Sequence, residues 1–348
     1  MRFEDIIGNE ELKKLLVQVV DQGRLPHAVL FVEDAPWGGV AFAIALAQYV
    51  NCHNRSGGDS CGECGSCHKY GKLIHPDLHF VFPVSAAKSL TDAEKKAPVS
   101  EYFAAPWQKL VAGNPYFSEQ ELYDAIGVEG KSGVISVHEA RRIIEKLSLK
   151  SFEADYKAVI IYLPEKMNQE ASNKLLKLIE EPPAGTLFIL VSQSPEKIIS
   201  TIRSRCQLIR LKPLTPQERV RAGLESGFND EFHELIGRLL EVSLKKSVID
   251  TFPVWESVSG FGRERQKDWC IYFEKYIRKL YLVASSLDSI ADLDSREEKD
   301  IRRFASSVNE TFFGKAFAAI ESSISSVESN VNAKLVFCNL CNAILLAV

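Results

Sequence analysis

At 348 residues the chain is too long for one ordinary compact domain, and two or three are expected. Its 46% hydrophobic and 25% charged residues give it the composition of a soluble globular protein. A formal net charge of −4 excludes a globally basic, histone-like nucleic-acid binder, although such a total can hide a local basic patch.

The chain opens Met1-Arg2-Phe3-Glu4-Asp5, charged at once and without an apolar core, so no secretory signal is expected. Glu10 to Gln22 carries Leu12, Leu15, Leu16, Val19 and Val20 at helical spacing, and Gly23 is placed to cap that helix. The run His27 to Val32 (HAVLFV) suits a buried parallel strand, with His27 read as structural. A loop containing Gly38 and Gly39 follows, then a helical run from Ala41 to Val50. Leu78 to Phe82 (LHFVF) predicts a second strand, closed by Pro83.

Residues 84–133 break this rhythm, with mixed polarity, several Gly and Pro, and short helical pieces only near 91–96 and 118–126. They read as an insertion, partly mobile. Periodicity returns over Val137 to Leu147, an amphipathic helix with Arg141, Arg142 and Lys146 on its polar side. A solvated helix face and contact with phosphate are the two readings of those three residues. Lys157 to Leu163 (KAVIIYL) is a β-branched run bounded by Pro164, hence a central strand. Asn168 to Glu181 is helical and is stopped by Pro182-Pro183, with Lys177, Glu180 and Glu181 read as capping and solvating its end.

Thr186 to Val191 and Gln207 to Leu211 are further strands. Strands alternating with helices predict an α/β domain with a parallel sheet. From residue 216 onward only helical patterns remain, with candidate boundaries near Pro253 and Gly260–Gly262. The last apolar stretch, Leu335 to Val348, is interrupted by Asn339 and Asn342 and falls short of the roughly 20 residues that span a bilayer. It reads as a buried helix, and the abrupt end leaves open a missing native tail.

Four of the eight cysteines, Cys52, Cys61, Cys64 and Cys67, crowd into C-x8-C-x2-C-x2-C. In a chain without an export signal that crowding points to metal rather than disulfides. Four thiolates make a closed tetrahedral Zn²⁺ site, which is structural because no position is left for a substrate. Gly57, Gly58, Gly62 and Gly65 supply the tight backbone. Reduced thiols, coordination by the nearby His53 and His68, or an iron–sulfur cluster are the competing readings. Cys270, Cys338 and Cys341 read as core residues.

The strand HAVLFV, its glycine-bearing loop and the following helix occupy the place of a phosphate-binding P-loop. A working loop reads G-x-x-x-x-G-K-[ST], whose amides cradle phosphate while lysine neutralises it and the hydroxyl holds Mg²⁺. Here the eight residues are Glu33-Asp34-Ala35-Pro36-Trp37-Gly38-Gly39-Val40. Gly39 stands where lysine belongs, Val40 stands where the hydroxyl belongs, and Glu33 and Asp34 add anions. The strand KAVIIYL ends in Tyr162-Leu163 where an Asp-Glu pair would hold Mg²⁺. No bound ATP and no hydrolysis by this chain are expected.

Segments 6–12 (IIGNEEL), 23–32 (GRLPHAVLFV), 173–183 (NKLLKLIEEPP) and 203–206 (RSRC), with the cysteine knuckle ahead of His75-Pro76-Asp77, follow one another in a recognisable order. They resemble the bacterial DNA polymerase III clamp-loader subunits of the AAA+ family. The resemblance covers about residues 2–83 and 134–212, and the helical remainder more loosely. Within that family, a dead P-loop joined to an intact S-R-C motif is similar to the delta-prime type rather than to the ATPase motor type.

The resemblance implies a RecA-like AAA+ domain over 1–212, containing the zinc knuckle (52–67) and the insertion (84–133). A small helical lid (213–254) and an all-α oligomerisation collar (255–348) would follow. It implies a cytoplasmic, non-hydrolysing stator, not membrane-bound, that assembles with gamma/tau-type motor and delta-type subunits. Through that complex it would act on the sliding clamp and primer–template DNA. Ser204-Arg205-Cys206 would present Arg205 as an arginine finger to ATP on a neighbour, with Arg203 the weaker choice. Taken alone, Arg205 before a strand reads as an ordinary surface arginine. The insertion has no counterpart in the pattern, and Tyr162 replaces an aspartate that some members retain. A zinc-binding adaptor of DNA repair or replication outside a clamp loader is the alternative. An active motor is disfavoured, since it needs Lys at 39 and Ser or Thr at 40.

Overall fold

A computed structural model describes residues 1–128, 132–224, 230–291, 293–294 and 296–348, and its chain divides into two units, Met1–Leu224 and Glu225–Val348. In the first unit the apolar runs become five parallel strands: β1 (Ala28–Val32), β2 (Leu78–Val81), β3 (Lys157–Tyr162), β4 (Thr186–Ser192) and β5 (Gln207–Arg210). Their spatial order is β2-β3-β4-β1-β5, so the chain returns to the middle of the sheet and the carboxyl ends of β1, β3 and β4 lie side by side. This is the parallel α/β sheet that the strand–helix alternation predicted, in the RecA-like form that the resemblance implied.

The helices of this unit are α1 (Glu10–Asp21), α2 (Gly39–Val50), α3 (Gly65–Gly71), α4 (Asp92–Lys96), α5 (Ala104–Gly113), α6 (Glu119–Ile126), α7 (Val137–Ser148), α8 (Gln169–Glu180), α9 (Ser200–Arg203) and α10 (Pro216–Arg221). Side chains alternate across each strand, and both faces of the sheet are covered. Val29 and Phe31, Ala158 and Ile160, and Leu187, Ile189 and Val191 share one core with α2. Ala28 and Leu30, Val159 and Ile161, and Phe188 and Leu190 share the opposite core with α7, α8 and α9. Helix α2 is buried along its whole length, which explains why its sequence has no polar stripe.

Residues 84–133 leave and re-enter the sheet at one point, where Val84 and Val134 exchange both backbone hydrogen bonds, at 3.3 and 3.0 Å. Among its described residues this excursion is a packed layer. Trp107 of α5 stacks on Phe82 with ring centroids 4.4 Å apart and meets Phe117 edge-on at 5.5 Å. Phe103, Val111, Leu122, Tyr123 and Ile126 enter the same core. The aromatic spacing is irregular, so neither a helical nor a strand period revealed α5 in the sequence. Residues 129–131 of the expected insertion lie outside the described residues.

The second unit is helical: α11 (Asp230–Leu244), α12 (Phe252–Ser259), α13 (Arg263–Ala284), α14 (Glu298–Ala305), α15 (Glu310–Glu328) and α16 (Ala333–Ala347). Its core gathers Phe232, Val254, Val258, Trp269, Phe273, Phe312 and Phe337, and Cys270 and Cys341 are buried there. Position 254/255, expected to divide lid from collar, falls inside α12. One side of α16 buries Phe337, Leu340 and Ile344, and the other leaves Leu335 and Leu346 exposed. No helix among the described residues is long and apolar enough to cross a membrane.

Trp107 is 1% exposed, so truncation leaves a large void between β2 and the excursion. Trp107→Ala is expected to cost about 3–5 kcal/mol of stability, read by denaturant unfolding.

Candidate functional site

The first part of the site is the turn from β1 into α2. Gly38 has φ of +102°, and the backbone there turns amides toward the helix N-terminus, an arrangement suited to an anion. A side chain of the protein occupies that position. Glu33, 2% exposed, accepts from the Gly39 amide at 2.8 Å and from the Trp37 amide at 2.9 Å, both through Oε2. Burial pushes the Glu33 carboxyl up to about 8, against the pull of the two amides, and neighbouring Glu165 adds to the rise. The next residue, Asp34, turns outward to Arg210 at 3.6 Å. The sequence shows two acidic residues in this loop; the structure turns one carboxyl inward, where burial favours its protonated form, and the other outward.

Little space remains around this cradle. A Cβ on Gly39 would stand 2.5 Å from Val191 and 3.0 Å from the Glu33 carboxyl. Against Gly38 lies the ring of Tyr116, only 2.8 Å from where a Cβ would be, and its hydroxyl accepts from the Ile7 amide at 2.7 Å. Tyr162, at the end of β3, is buried and donates to the Phe117 carbonyl at 3.4 Å. Burial drives its hydroxyl far above the usual phenol range. Tyr116 and Phe117 come from the excursion, and nothing in their sequence spacing pointed to the cradle.

The second part is the turn from α9 into β5, on the far side of β1 from β4. Arg205 is exposed and its Nη2 lies 2.6 Å from Glu180 Oε1, while Nη1 donates to the Thr201 carbonyl at 2.9 Å. Ser204 donates from its hydroxyl to the same Thr201 carbonyl at 3.1 Å. Cys206 packs against the core beneath α8, and burial pushes its thiol up to about 11. Arg203 is half-buried and tied to the Pro195 carbonyl at 3.1 Å. Of the expected triplet, Arg205 therefore carries the outward charge, and Ser204 and Cys206 shape the turn. Glu180 was read as a solvated helix end; it is instead the ion-pair partner of Arg205.

The third part is the cysteine knuckle. The sulfurs of Cys52, Cys61, Cys64 and Cys67 all lie within 4.8 Å of one another, close enough to share one metal ion. Backbone amides of Cys61, Cys64 and Cys67 donate to Cys52, Cys61 and Cys64 sulfurs at 3.2, 3.4 and 3.5 Å. Amides of Cys64 and Glu63 hold the Cys61 thiol down to about 6, whereas burial pushes Cys52 and Cys67 up. Gly58 and Gly62 take positive φ in the loop that closes the cluster.

Other candidates prove structural. Arg142 and Lys146 both reach Glu101, at 2.8 and 3.2 Å, which favours a solvated, self-paired face on α7 over phosphate contact. His27 is exposed and contributes its carbonyl to the Phe188 amide at 2.8 Å. Asp77 of the His-Pro-Asp motif accepts from the amides of Phe152, Glu153 and Ala154, locking the approach to β3.

Comparison with known proteins completes the site. A family model described as DNA polymerase III, delta subunit, matches residues 8–215, from before α1 through the Arg205 turn. The chain belongs to the DNA polymerase III delta subunit family. The Haemophilus influenzae DNA polymerase III subunit delta' is 28% identical over 305 residues, covering 80% of this chain and 78% of that protein. The Bacillus subtilis subunit delta' is 27% identical over 204 residues, 59% of this chain and 47% of the relative. Bacillus subtilis subunit tau is 28% identical over 216 residues, 62% and 30%. The chain thus spans less than half the length of the two Bacillus relatives.

The buried carboxyl in this family member's cradle has a measurable consequence. A carboxyl whose folded pKa lies above its ordinary value contributes stability at low pH that is lost as pH rises through the folded value. For Glu33 that window runs from 4.5 to about 8. Glu33→Gln keeps an oxygen for both amides and cannot ionise. Its melting temperature is expected to match the parent chain near pH 5 and to exceed it increasingly toward pH 8, as followed by thermal unfolding. Equal shifts at both pH values would contradict a buried, titrating Glu33.

Proposed function

We propose that this chain is a non-hydrolysing, delta-prime-type stator of a clamp loader, which lends Arg205 to ATP bound on a neighbouring subunit. The observation that carries the reading is the combination, within one unit, of a filled phosphate cradle and an arginine held outward on a turn. Glu33 takes the amides that a phosphate would need, Gly39 leaves no ammonium, and Tyr162 offers no magnesium ligand. Arg205, by contrast, keeps N–H groups for an incoming anion, and a guanidinium stabilises charge developing on a transferring phosphoryl group.

The partners proposed are gamma/tau-type motor subunits and a delta-type subunit, with the sliding clamp and primed DNA reached through the complex. Membership of the delta-subunit family and the likeness to both delta' and tau subunits support this choice. The helical remainder, expected as a lid (213–254) and an oligomerisation collar (255–348), joins the same proposal as the oligomerising part, without a break at 254/255, which lies inside α12. A cytoplasmic location belongs to it as well.

In the assembled complex, Arg205→Ala is expected to lower clamp- and DNA-stimulated ATP turnover by about tenfold or more, while the isolated chain melts unchanged. Unchanged turnover would overturn the finger. For the knuckle, the proposed ion is Zn²⁺, held by Cys52, Cys61, Cys64 and Cys67, and its chemistry there is structural cross-linking. Elemental analysis should find one zinc per chain, and Cys61→Ser should lose the metal and lower the melting temperature. Full metal content in that variant would remove the assignment.

A further inference from the structure

We propose that Glu180 is a positioning residue for Arg205, holding its guanidinium in one orientation before a neighbour's phosphate arrives. The inference rests on the finger reading above and adds to it a residue, read in the sequence as helix-end solvation, that belongs to the segment 173–183.

The two side chains meet across a junction that cannot drift. Glu180 is the last residue of α8, and Pro182-Pro183 follow one residue later, after Glu181, so the helix cannot continue and carry the carboxylate away. Ile179, next to it, is 0% exposed and packs with Leu175 into the core beneath the sheet. On the other side, Ile202 is likewise 0% exposed, Cys206 packs into that same core, and Arg203 is tied to the Pro195 carbonyl. Arg205 therefore projects from a turn pinned before and after it, toward a helix end pinned beside it. Most surface pairs join two mobile side chains and contribute little. Here both backbones are fixed, and only the side-chain rotamers are left to settle.

The donor geometry adds direction. Arginine offers five N–H donors in a rigid plane. Nη2 is taken up by Glu180 at 2.6 Å and Nη1 by the Thr201 carbonyl at 2.9 Å. Two anchors on different nitrogens fix the plane of the group. Nε–H and one further N–H on each terminal nitrogen are left over, enough for a phosphate. A free arginine loses substantial rotamer entropy when it is immobilised on a ligand, and anchoring it beforehand removes much of that loss from the productive encounter. An arginine that acts on the transferring phosphoryl group should then be affected in turnover rather than in ATP affinity.

The test is a double-mutant cycle in the complex reconstituted with its motor and delta-type partners. Glu180→Ala, Arg205→Ala and the double variant are compared for clamp- and DNA-stimulated ATPase, with kcat and KM for ATP separated. Glu180→Ala is expected to lower kcat about threefold to fivefold with KM unchanged, and to have no effect once Arg205 is already alanine. Both residues are exposed, so each single variant should melt with the parent chain. Unchanged or raised turnover in Glu180→Ala would overturn the positioning role, as would an equal loss in the Arg205→Ala background. If Arg205→Ala itself leaves turnover intact, the finger fails, and Glu180 has nothing to position. A loss with Arg205→Ala and none with Glu180→Ala removes this inference alone.

Discussion

The acceptance of two backbone amides by one buried carboxyl, that of Glu33, is the contact on which the reading of this molecule depends. A helix N-terminus with free amides attracts an anion, and in a nucleotide-binding loop that anion comes from the ligand. Here a buried carboxyl of the chain itself takes that place, and burial keeps it largely protonated below about pH 8. Glu33 lies at the end of β1, six residues before the amide it binds at 2.8 Å, so the carboxyl and its cradle are parts of the same short turn. The arrangement needs Gly39, because a larger residue would collide with Val191 and with the carboxyl itself. One residue type thus explains both the missing lysine and the closed loop.

The excursion over 84–133 extends that closure from a loop to a layer. Tyr116 covers Gly38, and Phe117 with Trp107 packs around Tyr162, so aromatic side chains fill the space beyond the carboxyl ends of β1 and β3. Aromatic contacts of this size dominate a core through buried area. A loop packed solid in this way suits the proposed stator, which would need a rigid body rather than a nucleotide pocket. Arg205 then sits on a firm edge: its turn is sewn to the core by Ile202 and Cys206, and its charge is aimed by Glu180.

Much of this was legible in the sequence. The β-branched runs around Val29, Ile160 and Ile189 announced central strands because burial on both faces demands continuous apolar residues. The cysteine spacing announced a four-sulfur cluster, and the order of segments around Arg205 announced the family. What could not be read came from contacts between residues far apart in the chain. Trp107 finds Phe82 and Tyr162 only through the fold, and the uneven spacing of its neighbours hid α5. Glu180 looked like one of two acidic residues at a helix end, and only the crossing of α8 and α9 selects it over Glu181. Glu33 was visible as an acidic residue in the wrong place, but its inward turn, opposite to that of Asp34, and its burial as a largely protonated carboxyl are decided by the glycine-shaped space beside Val191.

The closed cradle leads to one decisive measurement on the purified full chain: calorimetric titration with MgATP. A turn already filled by Glu33 and covered by Tyr116 should give no saturable heat up to about 1 mM nucleotide. Saturable binding of one MgATP per chain at micromolar concentration would show that the cradle is open to phosphate and would contradict the reading of this subunit as a silent partner.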